Sequence, residues 1–339
     1  MKKRKNFGTG ILAAFGMLLL ILDTKTALSG AVKGITLCLQ TVIPSLFPFI
    51  ILSFLINKSF VGIPITILTP LGKLCGIPKG AESLFLLGLV GGYPVGAQSI
   101  ENAYRNGCLS RWDARRMLGF CSNAGPAFIF GMAGGLFHSQ IAAWALWAVH
   151  ITSAIIAGYI LPGKTQNTCK LNQSQPVNIT LAVEKGLKTM GLICAWVVIF
   201  RVIITFFSRW FLWLLPKELE VAIIGLIELS NGCCELYALQ NEGLRFILCA
   251  TFLSLGGVCV GMQTCSVTQK LGTGMYFPGK VLQGCISFLV AYMLQNALFD
   301  GNEIFKIPMF LLFVAFLLCF VAFLYIKQKN SSNFVANTV

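Results

Sequence analysis

The chain has 339 residues, of which 56% are hydrophobic and 11% charged, and its mean hydropathy is +0.78. Soluble domains carry about 25% charged residues, so this composition excludes a soluble protein, and the longest polar stretch, 162–176, is too short to build a core of its own. The net charge of +14 does not point to nucleic acid, because Lys and Arg sit in the short gaps between apolar runs and no basic face is interleaved with aromatics.

At about 20 apolar residues per membrane span, the first span falls at 7–22, behind the basic Lys2-Lys3-Arg4-Lys5. No small-residue cleavage site precedes Asp23, so it reads as a retained anchor with its basic end in the cytoplasm. The second span, 32–56, contains Pro44 and Pro48 and is expected to kink or break there. A linker at 57–80 follows.

Residues 82–106 are too interrupted for one span. Two apolar halves flank Gly91-Gly92-Tyr93-Pro94, which predicts a re-entrant hairpin. Ser110 with Asp113 starts a short helix in the manner of a capping box, and Arg111, Arg115 and Arg116 make it basic and surface-lying. The third span, 118–138, is broken at Ser122-Asn123-Ala124-Gly125-Pro126, and the fourth covers 140–161. A polar connector then divides the chain almost in half.

The second half repeats this order. It has a span at 189–208, an interrupted hairpin at 219–240 around Glu228 to Gly232, and a span at 245–267 broken near Gly256-Gly257. Further spans fall at 279–298 and 308–326, before a basic tail. The expected fold is therefore all-α, with about eight transmembrane helices and two re-entrant hairpins in an inverted repeat. Its parts are a first anchor (1–31), a first repeat (32–162), a cytoplasmic connector (163–186), a second repeat (187–299), and a last helix with tail (300–339).

Charge tests this topology. With the N-terminus inside and both hairpins re-entrant, only Lys25, Lys33, Arg209, Lys217, Arg245 and Lys306 fall outside, and Arg201 lies within a span. All other Lys and Arg, Lys280 among them, fall on the cytoplasmic side, as the positive-inside rule requires. Both termini are then cytoplasmic, and the two hairpins enter from opposite faces.

Broken helices at bilayer depth are tolerated only where the freed backbone is buried or lines a cavity, and they mark transporter binding sites. The candidate substrate-binding residues are therefore Gly92, Tyr93, Pro94, Gly96, Gln98, Ser122, Asn123 and Gly125 in the first half. In the second half they are Arg201, Glu228, Ser230, Asn231, Gly257 and Gln263. The glycines let backbone approach a ligand, and helix amide ends attract anions. An Arg mid-span costs several kcal/mol, about 2.5–3.5 on insertion scales, so Arg201 is expected to pair with Glu228 or Glu235 or to bind an anion. Glu228 and Glu235 share a face only if Gly232 does not break their segment. His138 and His150 read as interfacial residues.

The 13 cysteines form no C-x-x-C pair and sit mostly in apolar runs, where they act as small hydrophobes. No metal site and no cofactor is expected. No nucleophile elbow, H-E-x-x-H or phosphate loop is present, so the chain does not read as an enzyme.

At Gly91-Gly92-Tyr93-Pro94-Val95-Gly96-Ala97-Gln98 and Phe120-Cys121-Ser122-Asn123-Ala124-Gly125-Pro126-Ala127-Phe128, the chain resembles the YlbJ sporulation integral membrane proteins. Pro44 to Phe49 and Leu255 to Gln263 also fit their pattern. The chain departs from it at Gly91, where Ser is usual, and at Gln98, where Lys is usual. The resemblance implies a nucleoside-recognition (Gate) domain with an elevator-like plan, a membrane around the forespore, and passage of dipicolinate, a small planar dianion. The expected partners are thus a small anion and the lipid bilayer, with a homo-oligomer left open. A transporter of nucleoside-like solutes and a non-transporting scaffold for spore-envelope assembly are the alternatives.

Overall fold

In the computed structural model of the chain, residues 2–137, 139–162, 169 and 178–300 are described. The expected span at 308–326, the tail, most of the polar connector and His138 lie outside them. The described residues are helical throughout, joined by short turns.

Five segments are long and apolar enough to cross a membrane: Thr24–Ile56, Gln140–Ile160, Ile179–Trp210, Glu242–Val267 and Tyr276–Phe299. They match five of the expected spans. The first expected span is a helix, α1 (Lys2–Leu22), whose apolar part Ala13–Leu22 is shorter.

The second span does not break at its prolines. Helix α2 (Thr24–Leu37) passes through a π-helical turn, Cys38–Val42, into α3 (Ile43–Phe60), with Pro48 inside that helix. The wider turn falls just before Pro44 and absorbs the missing amide locally.

Two short helices follow, α4 (Thr69–Leu74) and α5 (Glu82–Gly91). After the turn at Gly92 the chain returns as α6 (Val95–Arg105). At 1.5 Å per residue these two legs are each about 15 Å long, half the hydrocarbon thickness of about 30 Å, so neither crosses alone. Close packing of the legs depends on glycine: a Cβ on Gly88 or Gly96 would collide with the Cys121 carbonyl.

Helix α7 (Arg111–Met117) is capped by Ser110, which accepts from Asp113 N at 3.1 Å. It is not wholly surface-lying. Arg111 and Arg115 are exposed, but Arg116 is buried and donates to the carbonyls of Cys75, Gly76 and Gly158. Burial holds its guanidinium below the usual Arg range. The expected third span is irregular through 118–125 and becomes helical only from Pro126 to Leu136, starting as α8 (Pro126–Phe128). It is a half-helix.

Helix α9 (Gln140–Ile160) is continuous. Helix α10 (Ile179–Trp210) starts ten residues before its expected position, because Asn178 caps it by accepting from Thr180 N at 2.9 Å. Gly30 and Gly34 of α2 let α10 approach closely: a Cβ on either would stand 2.9 Å from the Cα of Val202 or Val198.

The second hairpin is α11 (Lys217–Ile227) and α12 (Leu229–Glu235). A Cβ on Gly232 would collide with the Gly225 Cα. The helix continues through Gly232 and breaks instead at Glu228. Helix α13 (Glu242–Leu255) ends on Gly256 in the left-handed conformation, φ +75°, and α14 (Gly257–Val267) resumes at once. Helix α15 (Tyr276–Gln295) completes the described chain, apart from a last π-helical turn at Asn296–Asp300.

Candidate functional site

Each hairpin tip rests on the break that follows it in the chain. In the first half Gly92 adopts φ +75°, and a Cβ there would stand 3.1 Å from Gly125 N. Gly125 in turn lies against Val90 O and Gly92, each about 3.1–3.2 Å from its own missing Cβ. In the second half a Cβ on Gly257 would stand 3.1–3.3 Å from the carbonyls of Gly225, Leu226 and Ile227. Both contacts are backbone against backbone, and only glycine permits them.

The two halves are tied at their tips. The Tyr93 hydroxyl donates to Leu253 O at 3.2 Å, and its ring lies against Gly256. Between them is a cavity of about 30 Å³. That volume holds about two waters and no organic molecule. Tyr93, Ala124, Gly125 and Phe128 line it from the first half. Glu228, Ser230, Val260 and Gln263 line it from the second, and α3 and α10 close its sides.

Five of the sequence-predicted site residues therefore meet here: Tyr93, Gly125, Glu228, Ser230 and Gln263. Gly92, Pro94 and Gly257 shape the turns behind the wall. Gly96 packs on Cys121, and Gln98 accepts from the Thr189 hydroxyl at 3.3 Å, so neither reaches the cavity.

The anion-binding end expected in the second hairpin is already occupied. Glu228 caps α12: its Oε1 accepts from Ser230 N at 3.1 Å, and its Oε2 from Asn231 N and Asn231 Nδ2 at 2.6 Å each. The chain's own carboxylate thus meets the positive end of the helix. Arg201 is also engaged, donating to Asn231 Oδ1 at 2.8 Å and pairing with Glu235 at 3.5 Å. Glu235 reaches Lys217 as well, at 3.6 Å.

A second polar cluster lies behind Tyr93 and Ala124, and sequence reasoning missed most of it. Lys280 was expected at the cytoplasmic surface but is 2% exposed. Its Nζ donates to Gln283 Oε1 at 2.6 Å and to Asn123 Oδ1 at 3.3 Å, and stands 5.2 Å from the centre of the Tyr93 ring. His150, expected at an interface, is fully buried. Its Nε2 accepts from Ala124 N at 3.0 Å, so its Nδ1 carries the proton and faces Ser254 Oγ at 3.1 Å. Asn123 belongs to this cluster, and the Ser122 hydroxyl beside it is buried without a partner among the described residues. The available signal was the spacing Lys280, Gln283, Ser287. It marks one helical face of an apolar span, and Ser287 uses it to donate to Ala250 O at 2.8 Å.

The fold and site define a class: an all-helical integral membrane protein in which two helical hairpins and two interrupted helices converge on a small cavity. The chain is 22% identical over 344 residues to the sporulation integral membrane protein YlbJ of Bacillus subtilis (strain 168), and the match covers 86% of this chain and 84% of that protein. No protein-family model and no solved structure matches it.

Proposed function

We propose that the protein is a sporulation membrane transporter built on a Gate domain, and that it moves a small carboxylated anion, dipicolinate first, toward the forespore. The hairpins enter from opposite faces of a forespore-surrounding membrane, and alternating access comes from their movement relative to the bundle. The observation that carries this reading is the cavity at which both hairpin tips and both helix breaks meet, lined by Glu228, Ser230 and Gln263. Its volume of about 30 Å³ leaves no room for an organic solute, so a solute enters only after the Tyr93 tie is released. The name of the Bacillus relative supplies the sporulation context.

The scaffold reading has one observation in its favour, the pairing of Arg201 with Asn231 and Glu235. It gives no reason for a cavity that gathers Glu228, Ser230 and Gln263 at the tips. Uptake of labelled dipicolinate by liposomes carrying the purified protein decides between them. Uptake above that of empty liposomes is expected, and its absence with folded, inserted protein removes the transport reading.

A further inference from the structure

Lys280 is a buried amine whose neighbours among the described residues are acceptors and an aromatic ring rather than a carboxylate. The two amides beside it are locked in orientation. Asn123 Nδ2 donates to Phe120 O at 2.8 Å, which turns its Oδ1 toward Lys280. Gln283 Nε2 donates to Asn123 Oδ1 at 3.0 Å and to His150 O at 3.4 Å, which leaves its Oε1 facing Lys280. The remaining direction is taken by the face of Tyr93.

All three partners accept, and an ammonium has three hydrogens to donate. A neutral amine would present a lone pair to this cage and find no donor. The cage is therefore built for the charged form. Yet none of the ion pairs among the described residues includes Lys280, and its titratable neighbours are the Tyr93 phenol, the His150 ring and the Cys121 thiol. Arg201, by contrast, already has Glu235. A fully buried charge without a counter-charge is costly, and inside a membrane it marks function.

We infer that Lys280 is the residue that recognises the charge of the carried solute: its ammonium takes a carboxylate of a small organic anion once Tyr93 leaves Leu253. The same tyrosine ring lines the cavity and covers the ammonium, so one movement both opens the cavity and uncovers the charge. This inference rests on the transport reading of the cavity, but its test needs no transport.

The test is thermal unfolding of the purified full-length protein in detergent, titrated with dipicolinate, benzoate, chloride, phosphate and the neutral pyridine-2,6-dicarboxamide. A ligand of the folded state raises the midpoint. Both carboxylates are expected to raise it, and the diamide is not. Lys280→Met removes a buried charge but strands the Gln283 Oε1 acceptor, so each variant is read against its own ligand-free midpoint, and Lys280→Met should need at least about tenfold more dipicolinate for the same shift. Lys280→Gln provides a second neutral variant should the first fail to fold. Arg201→Ala should respond as the wild type does. The inference is overturned if no carboxylate shifts the wild type, if chloride or phosphate shifts it equally, or if the two neutral variants respond unchanged. Carboxylate binding lost with Lys280 but no uptake by liposomes would keep Lys280 as a ligand and remove the transport reading instead.

Discussion

The Tyr93 hydroxyl donates to the Leu253 carbonyl across 160 residues of sequence. Leu253 lies in the last turn of α13, where the break at Gly256 leaves carbonyls without intrahelical donors. Tyr93 thus supplies from the first hairpin the hydrogen that the second half gives up by interrupting its helix.

Tyr93→Phe keeps the ring and removes that donor. The buried Leu253 carbonyl is then unsatisfied, at a cost of about 1–3 kcal/mol. Reversible unfolding in detergent should show a loss of this size, and an unchanged stability would mean that the tie is not formed.

The glycines of the hairpin legs should tolerate no Cβ. Gly96→Ala and Gly232→Ala each force backbone apart, and overpacking of this kind costs about 1–3 kcal/mol or more. Gly191 of α10 is the control. Nothing lies within 4 Å of a Cβ placed there, so Gly191→Ala should gain up to about 1 kcal/mol from helix propensity. Equal effects at all three positions would contradict the close contacts.

Glu228 acts as the cap of α12, so its variants should order by what they leave for the amides. Glu228→Ala exposes the Ser230 and Asn231 N–H groups and should cost about 1–2 kcal/mol. Glu228→Gln retains one accepting oxygen and should cost less. The check is the difference in unfolding midpoint between the two, and a Gln variant as unstable as Ala would place the weight on the charge rather than on the cap.

Arg201 is expected to matter for stability more than for solute. Arg201→Ala strands Glu235 with Lys217 alone and lowers the midpoint. Dipicolinate uptake should keep its KM within about threefold, since only binding contacts alter KM at constant kcat. A much larger rise in KM would return Arg201 to the solute site.

Opposed hairpins make a labelling prediction. The tips are sterically closed, so the probes belong at the exposed bases, Asn106→Cys and Gln240→Cys, in a background without native cysteines. An impermeant thiol reagent should reach them from opposite sides of sealed vesicles. Modification of both from one side would end the inverted arrangement.

Much of the site was legible because helix interruptions are local. Gly92 and Gly125 stand out from their apolar flanks, as do Glu228 to Gly232 and Gly256-Gly257, and the structure places all of them at or beside a turn. Lys280 was misplaced for an equally local reason. A span begun at 279 leaves it at the surface, whereas α15 begins at Tyr276, one turn earlier, where Met275 N is held by Arg115 O at 2.9 Å. His150 carried no signal at all, since a lone histidine in an apolar helix looks the same at an interface and in a core.

By itself the sequence determined the solvent of the chain, its helices and most of its breaks. These follow from hydropathy, helical period and backbone chemistry, which each residue expresses along its own segment. Only the tertiary structure decided which partner each polar group has. Glu228 turned out to cap its own helix, Arg201 to take Glu235, and Lys280 to stand against Asn123, Gln283 and Tyr93 without a counter-charge among the described residues. Such pairings join segments up to about 190 residues apart, and in a protein interior the partner, not the residue type, settles whether a charge is spent on the fold or left for a ligand.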